Sequence, residues 1–275
     1  MKYLKLTALA ISAIFFTSAC NNAAPVKEDT AKTDVKEETQ TYTGDSVTMN
    51  GFVAYDAAVT TKRPVVIVVH EWWGLNDYAK KRARDLAALG YLAFAVDMFG
   101  NGQLAENPDV AQKLAMPFYM DPMKARRRFD AALAKAKSHP MADTTQVLAI
   151  GYCFGGSMVL NMARLGDNLQ GVVSFHGNLL GVPPSKEQLK APVLVCHGEA
   201  DKFVSQDDVN TFRRQMDSIG AVYTFKSYPN ATHAFSNPDA TEKGKKFNMP
   251  IAYNAAADAA SWNDMKVFFG AVLKK

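Results

Sequence analysis

The sequence predicts an α/β fold with a mostly parallel central sheet covered by helices on both faces. Three observations carry this prediction. Short apolar runs recur along the chain, longer amphipathic stretches separate them, and a glycine-rich turn, Gly151-Tyr152-Cys153-Phe154-Gly155-Gly156, stands between one such run and a helical stretch. Continuous apolar runs of this length read as strands buried on both faces. Strands that alternate with helices pair in parallel, because a parallel neighbour is reached only by a long crossover that covers a sheet face.

The elements follow in order. Segments 65–70, 92–96, 147–152, 171–175 and 192–196 read as buried strands, with an earlier candidate at 47–54 and a later one at 222–228. Asn76 or Asp77 caps a helix that runs to Leu89 and is closed by Gly90. Pro122 opens another helix, which carries Arg126, Arg127 and Arg128 and ends near Ser138. Three consecutive arginines cannot share one helix face, so a solvated face is the expectation for them. Residues 157–163 form a small-residue helix after the glycine-rich turn, and residues 255–273 a closing helix.

Ahead of this domain, Lys2 and Lys5 precede an apolar stretch, residues 6–16, that is too short to span a bilayer, as in a secretion signal. Thr17-Ser18-Ala19-Cys20 resembles the lipobox of bacterial lipoproteins, in which the cysteine is acylated and becomes the new N-terminus; Thr17 departs from the usual Leu. Residues 21–46 are rich in Ala, Thr, Lys, Asp and Glu, with too few large apolar side chains to offset the entropy of ordering. The expected organisation is a signal peptide at 1–19, a lipid-anchored flexible tether at 20–46 and one catalytic domain at 47–275, exported and held at a membrane through Cys20. With Cys20 acylated, Cys153 and Cys196 are too few for a disulfide framework, so the core must hold by packing. The net charge of +4 over 275 residues is spread without a basic, aromatic-interleaved stripe, which argues against nucleic acid as a partner.

In open parallel sheets function gathers beyond the C-terminal strand ends. There Cys153 sits on a sharp strand-to-helix turn, whose flanking glycines let strand and helix approach without Cβ clashes. The N-terminus of the following helix favours a thiolate and a developing oxyanion. The lysine of a phosphate-binding loop is missing, and the dinucleotide spacing is not met. Asp201 follows the strand at 192–196, and His233 follows the strand at 222–228. Nucleophile, acid and histidine therefore stand in the chain order of an α/β-hydrolase.

On these residues the chain resembles the dienelactone hydrolase family. The match runs through Gly151 to Gly156, through Gly198-x-x-Asp201-x-x-Val204, through His233-x-Phe235, and through His70-Glu71-Trp72-Trp73-Gly74-Leu75. The resemblance implies an α/β-hydrolase fold and hydrolysis of a small ester or lactone by acyl transfer to Cys153. It implies His233 as general base, Asp201 as its orienting acid and Glu71 as a carboxylate contacting the thiol. The backbone N–H groups of Phe154 and Trp72 would form the oxyanion hole, and no metal or organic cofactor is required. The type enzyme binds a carboxylated lactone with two arginines; the corresponding places here read Asp97-Met98-Phe99-Gly100-Asn101-Gly102 and Phe235-Ser236-Asn237-Pro238. A neutral or differently charged ester is therefore expected. Trp72, Trp73, Phe99, Met116, Phe118, Tyr119 and Met120 are candidates for an apolar pocket or for core packing.

Three other readings compete. His70, His176 and His197 each follow an apolar strand, which raises a metal-site reading, but no recognised ligand spacing appears. A surface-anchored ligand-binding lipoprotein could keep the fold without turnover. Thiol redox chemistry would need Cys196 as partner, and there is no Cys-x-x-Cys motif.

Overall fold

The computed structural model describes residues 1 and 33–273. In chain order the elements are β1 (Val35–Gly44), β2 (Val47–Asp56), β3 (Arg63–Val69), α1 (Asp77–Ala88), β4 (Leu92–Val96), α2 (Pro108–Met120), α3 (Pro122–Lys137) and β5 (Ala142–Tyr152). They continue with α4 (Phe154–Arg164), β6 (Gly171–Phe175), β7 (Val193–Gly198), α5 (Gln206–Ser218), β8 (Tyr223–Tyr228), α6 (Ala240–Phe247) and α7 (Ala255–Val272). The strands form one sheet in the order β1-β2-β4-β3-β5-β6-β7-β8. β1 with β2 and β2 with β4 are antiparallel, and the remaining pairs are parallel.

Side-chain alternation along the central strands feeds two cores. Val65, Ile67 and Val69 of β3 pack on one face with Phe129 of α3, Met158 of α4 and Phe212 of α5. Val66 and Val68 point to the other face, with Leu86 of α1 and Phe269 of α7. A period of two along a strand with helices on both sides produces this division. The fold is the expected α/β-hydrolase arrangement, and its parallel strand ends converge on Cys153, Asp201 and His233.

The boundary expected at residue 47 needs correction. Val35–Gly44, assigned to the tether, forms β1, and the compact unit begins at Thr33. Gly44 pairs with Val47, leaving Asp45 and Ser46 as a two-residue turn with φ of 52° and 58°. Positive φ at both turn residues matches the twist of paired strands. Thr39, Thr41 and Thr43 suit the pleat, and the Tyr42 ring meets Phe94 edge-on with centroids 5.7 Å apart. Glu37, Glu38 and Gln40 belong to an edge strand, where polar side chains discourage further pairing. Cys20, the expected signal peptide from residue 2 onward and the tether up to residue 32 lie outside the described residues.

The expected helix at 77–89 is α1, with the Asn76 side chain accepting from the Ala79 N–H at its start. Asp121 caps α3 in the same way. The arginines of α3 do not form the expected solvated face. Arg128 is buried and donates to the Met98 carbonyl (3.0 Å), Arg126 pairs with Asp167 (2.8 Å), and Arg127 pairs with Asp45 (2.6 Å).

Candidate active site

β5 ends at Tyr152 and α4 begins at Phe154, so Cys153 alone makes the turn, at φ 52° and ψ −114°. A residue with a Cβ is strained there by about 1–3 kcal/mol. The surroundings hold it in place. The Cys153 N–H is shared between the Phe175 carbonyl (3.0 Å) and His176 Nδ1 (3.1 Å), and the Gly155 N–H donates to the His70 carbonyl (3.0 Å). A Cβ at Gly151 would overlap the Gly155 carbonyl, and one at Gly155 would overlap the Val69 carbonyl of β3. The glycines are thus a steric condition for packing α4 against the strand ends.

His233, after β8, places Nε2 3.0 Å from Cys153 Sγ and Nδ1 2.8 Å from Asp201 Oδ2. The other Asp201 oxygen accepts from the N–H groups of Phe203 (2.8 Å) and Val204 (3.3 Å), which fixes the carboxylate plane. Burial opposes charge on His233, but Cys153 and Asp201 outweigh it and hold its pKa well above the usual value. Burial likewise pushes the Asp201 carboxyl up; His233 and the Phe203 N–H more than offset this, and its pKa falls below the usual range. An imidazole bridging sulfur and carboxylate in this way can move a proton to and from Sγ.

The Phe154 N–H is the first of α4, and neither it nor the Trp72 N–H donates to an acceptor among the described residues. Glu71 and Trp72 line the same cavity as Cys153. Glu71 is 3% exposed, and burial raises its pKa against the nearby charge of Lys243. Its hydrogen-bond partner is the Asn237 side-chain amide, which donates to Oε2 at 2.6 Å. Among the described residues the hydrogen bond to Cys153 Sγ comes from His233, so the implied contact between Glu71 and the thiol is not a hydrogen bond here.

A second polar chain, missed in reading the sequence, lies behind this site. His176 Nδ1 accepts from the Cys153 N–H, which leaves Nε2 to donate to Ser236 Oγ (2.8 Å); Ser236 Oγ meets the Tyr78 hydroxyl (2.7 Å), and Arg82 donates to that hydroxyl (3.3 Å). Arg82 also bridges to the Ser236 carbonyl (2.7 Å) and to Asp258. Burial drives the His176 pKa well down, as a neutral acceptor requires. This chain ties the Cys153 turn to the loop carrying His233. Its only sequence signals are the position of His176 after an apolar strand and the Ser236-Asn237 pair just beyond His233. His70 is also neutral, donating from Nδ1 to the Glu71 carbonyl (2.5 Å) and accepting at Nε2 from Met98 (3.2 Å). Among the described residues no cluster of His, Cys, Asp or Glu converges as a metal site. Cys196 is buried, and burial raises its thiol pKa to about 12.

The cavity above Cys153 measures about 560 Å³. Of the candidate pocket residues, Trp72, Trp73, Met116 and Tyr119 line it. Phe99 and Phe118 are instead buried beneath it against Phe154, with ring centroids 5.5 and 5.8 Å away, and Met120 is largely exposed. In the segment 97–102 that follows β4, Asp97 is buried and accepts from the N–H groups of Asn50 (3.0 Å), Gly100 (2.9 Å) and Gly102 (2.8 Å).

A family model for the dienelactone hydrolase family matches residues 49–273. The chain belongs to the dienelactone hydrolase family. This dienelactone hydrolase-like protein is 32% identical over 211 residues to Protein usf of Aquifex pyrophilus, covering 75% of this chain and 87% of that one. It is 31% identical over 179 residues to an Aquifex aeolicus protein provisionally named a carboxymethylenebutenolidase, covering 63% and 77% of the two chains. Among solved structures it resembles a dienelactone hydrolase-like promiscuous phosphotriesterase from metagenomic libraries. That match has a TM-score of 0.81 and 34% identity, and it covers 86% of this chain and 98% of the other. The chain is therefore a hydrolase of this family by both sequence and fold.

Proposed function

We propose that this hydrolase cleaves a carboxylic ester or lactone through an acyl-enzyme on Cys153. The observation that carries the reading is the unbroken hydrogen-bonded chain from Asp201 through His233 to Cys153 Sγ, opening into the cavity. His233 takes the thiol proton, and Sγ attacks the substrate carbonyl carbon. The tetrahedral oxyanion accepts from the N–H groups of Phe154 and Trp72; one such donor is worth about 2.7–4 kcal/mol in the barrier. The carbon–oxygen bond then breaks, and the departing alkoxide takes the proton from His233, remaining attached to the acyl group if the substrate is a lactone. A water, deprotonated by His233, attacks the thioester, Sγ leaves, and the acid is released.

Asp201 keeps the imidazole oriented and stabilises its charged form. Glu71, buried and held by Asn237, places a carboxyl in the cavity that can relay the thiol proton when substrate enters. The proposed setting is an exported lipoprotein, periplasmic or at the cell surface, anchored to a membrane through acylated Cys20. The test is turnover of small activated esters and lactones by the protein and by Cys153→Ala under reducing conditions. Turnover by the unsubstituted protein alone supports the mechanism. Equal inactivity of both folded proteins would favour a ligand-binding lipoprotein instead.

A further inference from the structure

We infer that the site accepts neutral esters or lactones bearing an apolar group and disfavours substrates that carry a carboxylate. The inference rests on the hydrolytic reading above and names its substrate class. The cavity wall beside Cys153 is built from Trp72, Trp73, Met116, Phe203, Met249 and Ile251, and among the described residues no lysine or arginine lines it. A pocket of this size and lining takes a small organic ligand by burying its apolar part.

The charges that do reach the cavity are unsuited to an anion. Glu71 contributes a carboxyl, so a substrate carboxylate would face a like group in a low-dielectric setting. Among the described lining side chains His233 is the one able to take up positive charge, and it is already bonded to Asp201 and Cys153. The cations nearest Glu71 are engaged elsewhere. Lys243 sits 5.1 Å from the Trp73 ring centroid and lines a separate small recess, while Arg82 is bound to Asp258 and the Ser236 carbonyl. Burying an unpaired carboxylate costs several kcal/mol, whereas an apolar group gains from the same walls. Gln112 and Asn178 supply neutral polar groups on the lining, which suit a carbonyl, ether or hydroxyl.

The experiment separates binding from turnover. Two unreactive amides, N-phenylbutanamide and N-phenylsuccinamic acid, are titrated against the full chain while the fluorescence of Trp72 and Trp73 is followed. In parallel, hydrolysis of 4-nitrophenyl pentanoate is compared with that of its analogue ending in a carboxylate. The expected result is tighter binding of the neutral amide by about tenfold or more, with kcat/KM for the ester pair in the same order. Met116→Arg, on the exposed flank of α2 and outside the catalytic chain, should shift the amide preference toward the carboxylate by about tenfold. Equal or tighter binding of the carboxylate by the unsubstituted protein overturns the inference, as does no binding of the neutral amide. A preference unmoved by Met116→Arg overturns the placement of the apolar group against α2. Discrimination in binding without hydrolysis of either ester would instead refute the hydrolytic reading and leave the preference standing.

Discussion

Replacing Asp201 by Asn should cripple the enzyme more thoroughly than its conservative size suggests. One Asp201 oxygen accepts from the N–H groups of Phe203 and Val204, and the other accepts from His233 Nδ1. In Asp201→Asn the carbonyl oxygen must stay with the two backbone donors, because turning the amide would set N–H against N–H. The amide nitrogen then faces His233 Nδ1 and donates to it, so the imidazole proton moves to Nε2 and points at Cys153 Sγ. A base in that tautomer cannot accept the thiol proton. The same tautomer error in a serine triad lowers kcat by about 10⁴, or about 5.5 kcal/mol. The assay is kcat/KM on a neutral activated ester, with thermal unfolding as control. Both backbone hydrogen bonds survive, so Tm should change little, and the imidazole pKa, read by NMR, should fall. Activity within about tenfold of the unsubstituted enzyme would refute the tautomer argument.

Other substitutions probe the frame and the anchor. Gly155→Ala should cost about 3 kcal/mol or more in urea unfolding, because the new Cβ meets the Val69 and His70 carbonyls, which are backbone and cannot yield. Burial lowers the His70 pKa from 6.5 to about 4, so its neutral form contributes stability above pH 6.5 that is lost as pH falls through that window. The stability gap between the unsubstituted protein and His70→Gln should accordingly narrow by about 1.4 kcal/mol per pH unit between those values; a gap independent of pH would contradict the burial argument. Cys20→Ala should move the protein from the detergent to the aqueous phase on partitioning and remove the acyl mass from its N-terminus. An unsubstituted chain that already partitions into water would end the lipoprotein proposal.

The central sheet is legible in the sequence because β3, β4, β6, β7 and the second half of β5 are buried on both faces and so leave continuous apolar runs. The Cys153 turn is legible because its glycines are a local steric requirement. What escapes is either polar or distant. β1 carries Lys36, Glu37, Glu38 and Gln40 on an edge strand, and its composition alone reads as a tether. α2 has a cap, Asn107, and a proline at its start, but Pro117 inside it breaks the helical pattern. Asn237 and Glu71 are 166 positions apart, and Tyr78 and Ser236 are 158 apart; no spacing rule joins such pairs. Arg128 reads as part of a solvated arginine run, yet it is buried because it closes the Met98 carbonyl at the end of β4.

Mass spectrometry of the protein quenched in acid during turnover of an activated ester, followed by peptide mapping, tests the proposed covalent step directly. The account predicts an acyl group on the peptide containing Cys153 that is absent from Cys153→Ala and is lost once the ester is exhausted. Sustained hydrolysis by Cys153→Ala, or an acyl group found only on another residue, would contradict it.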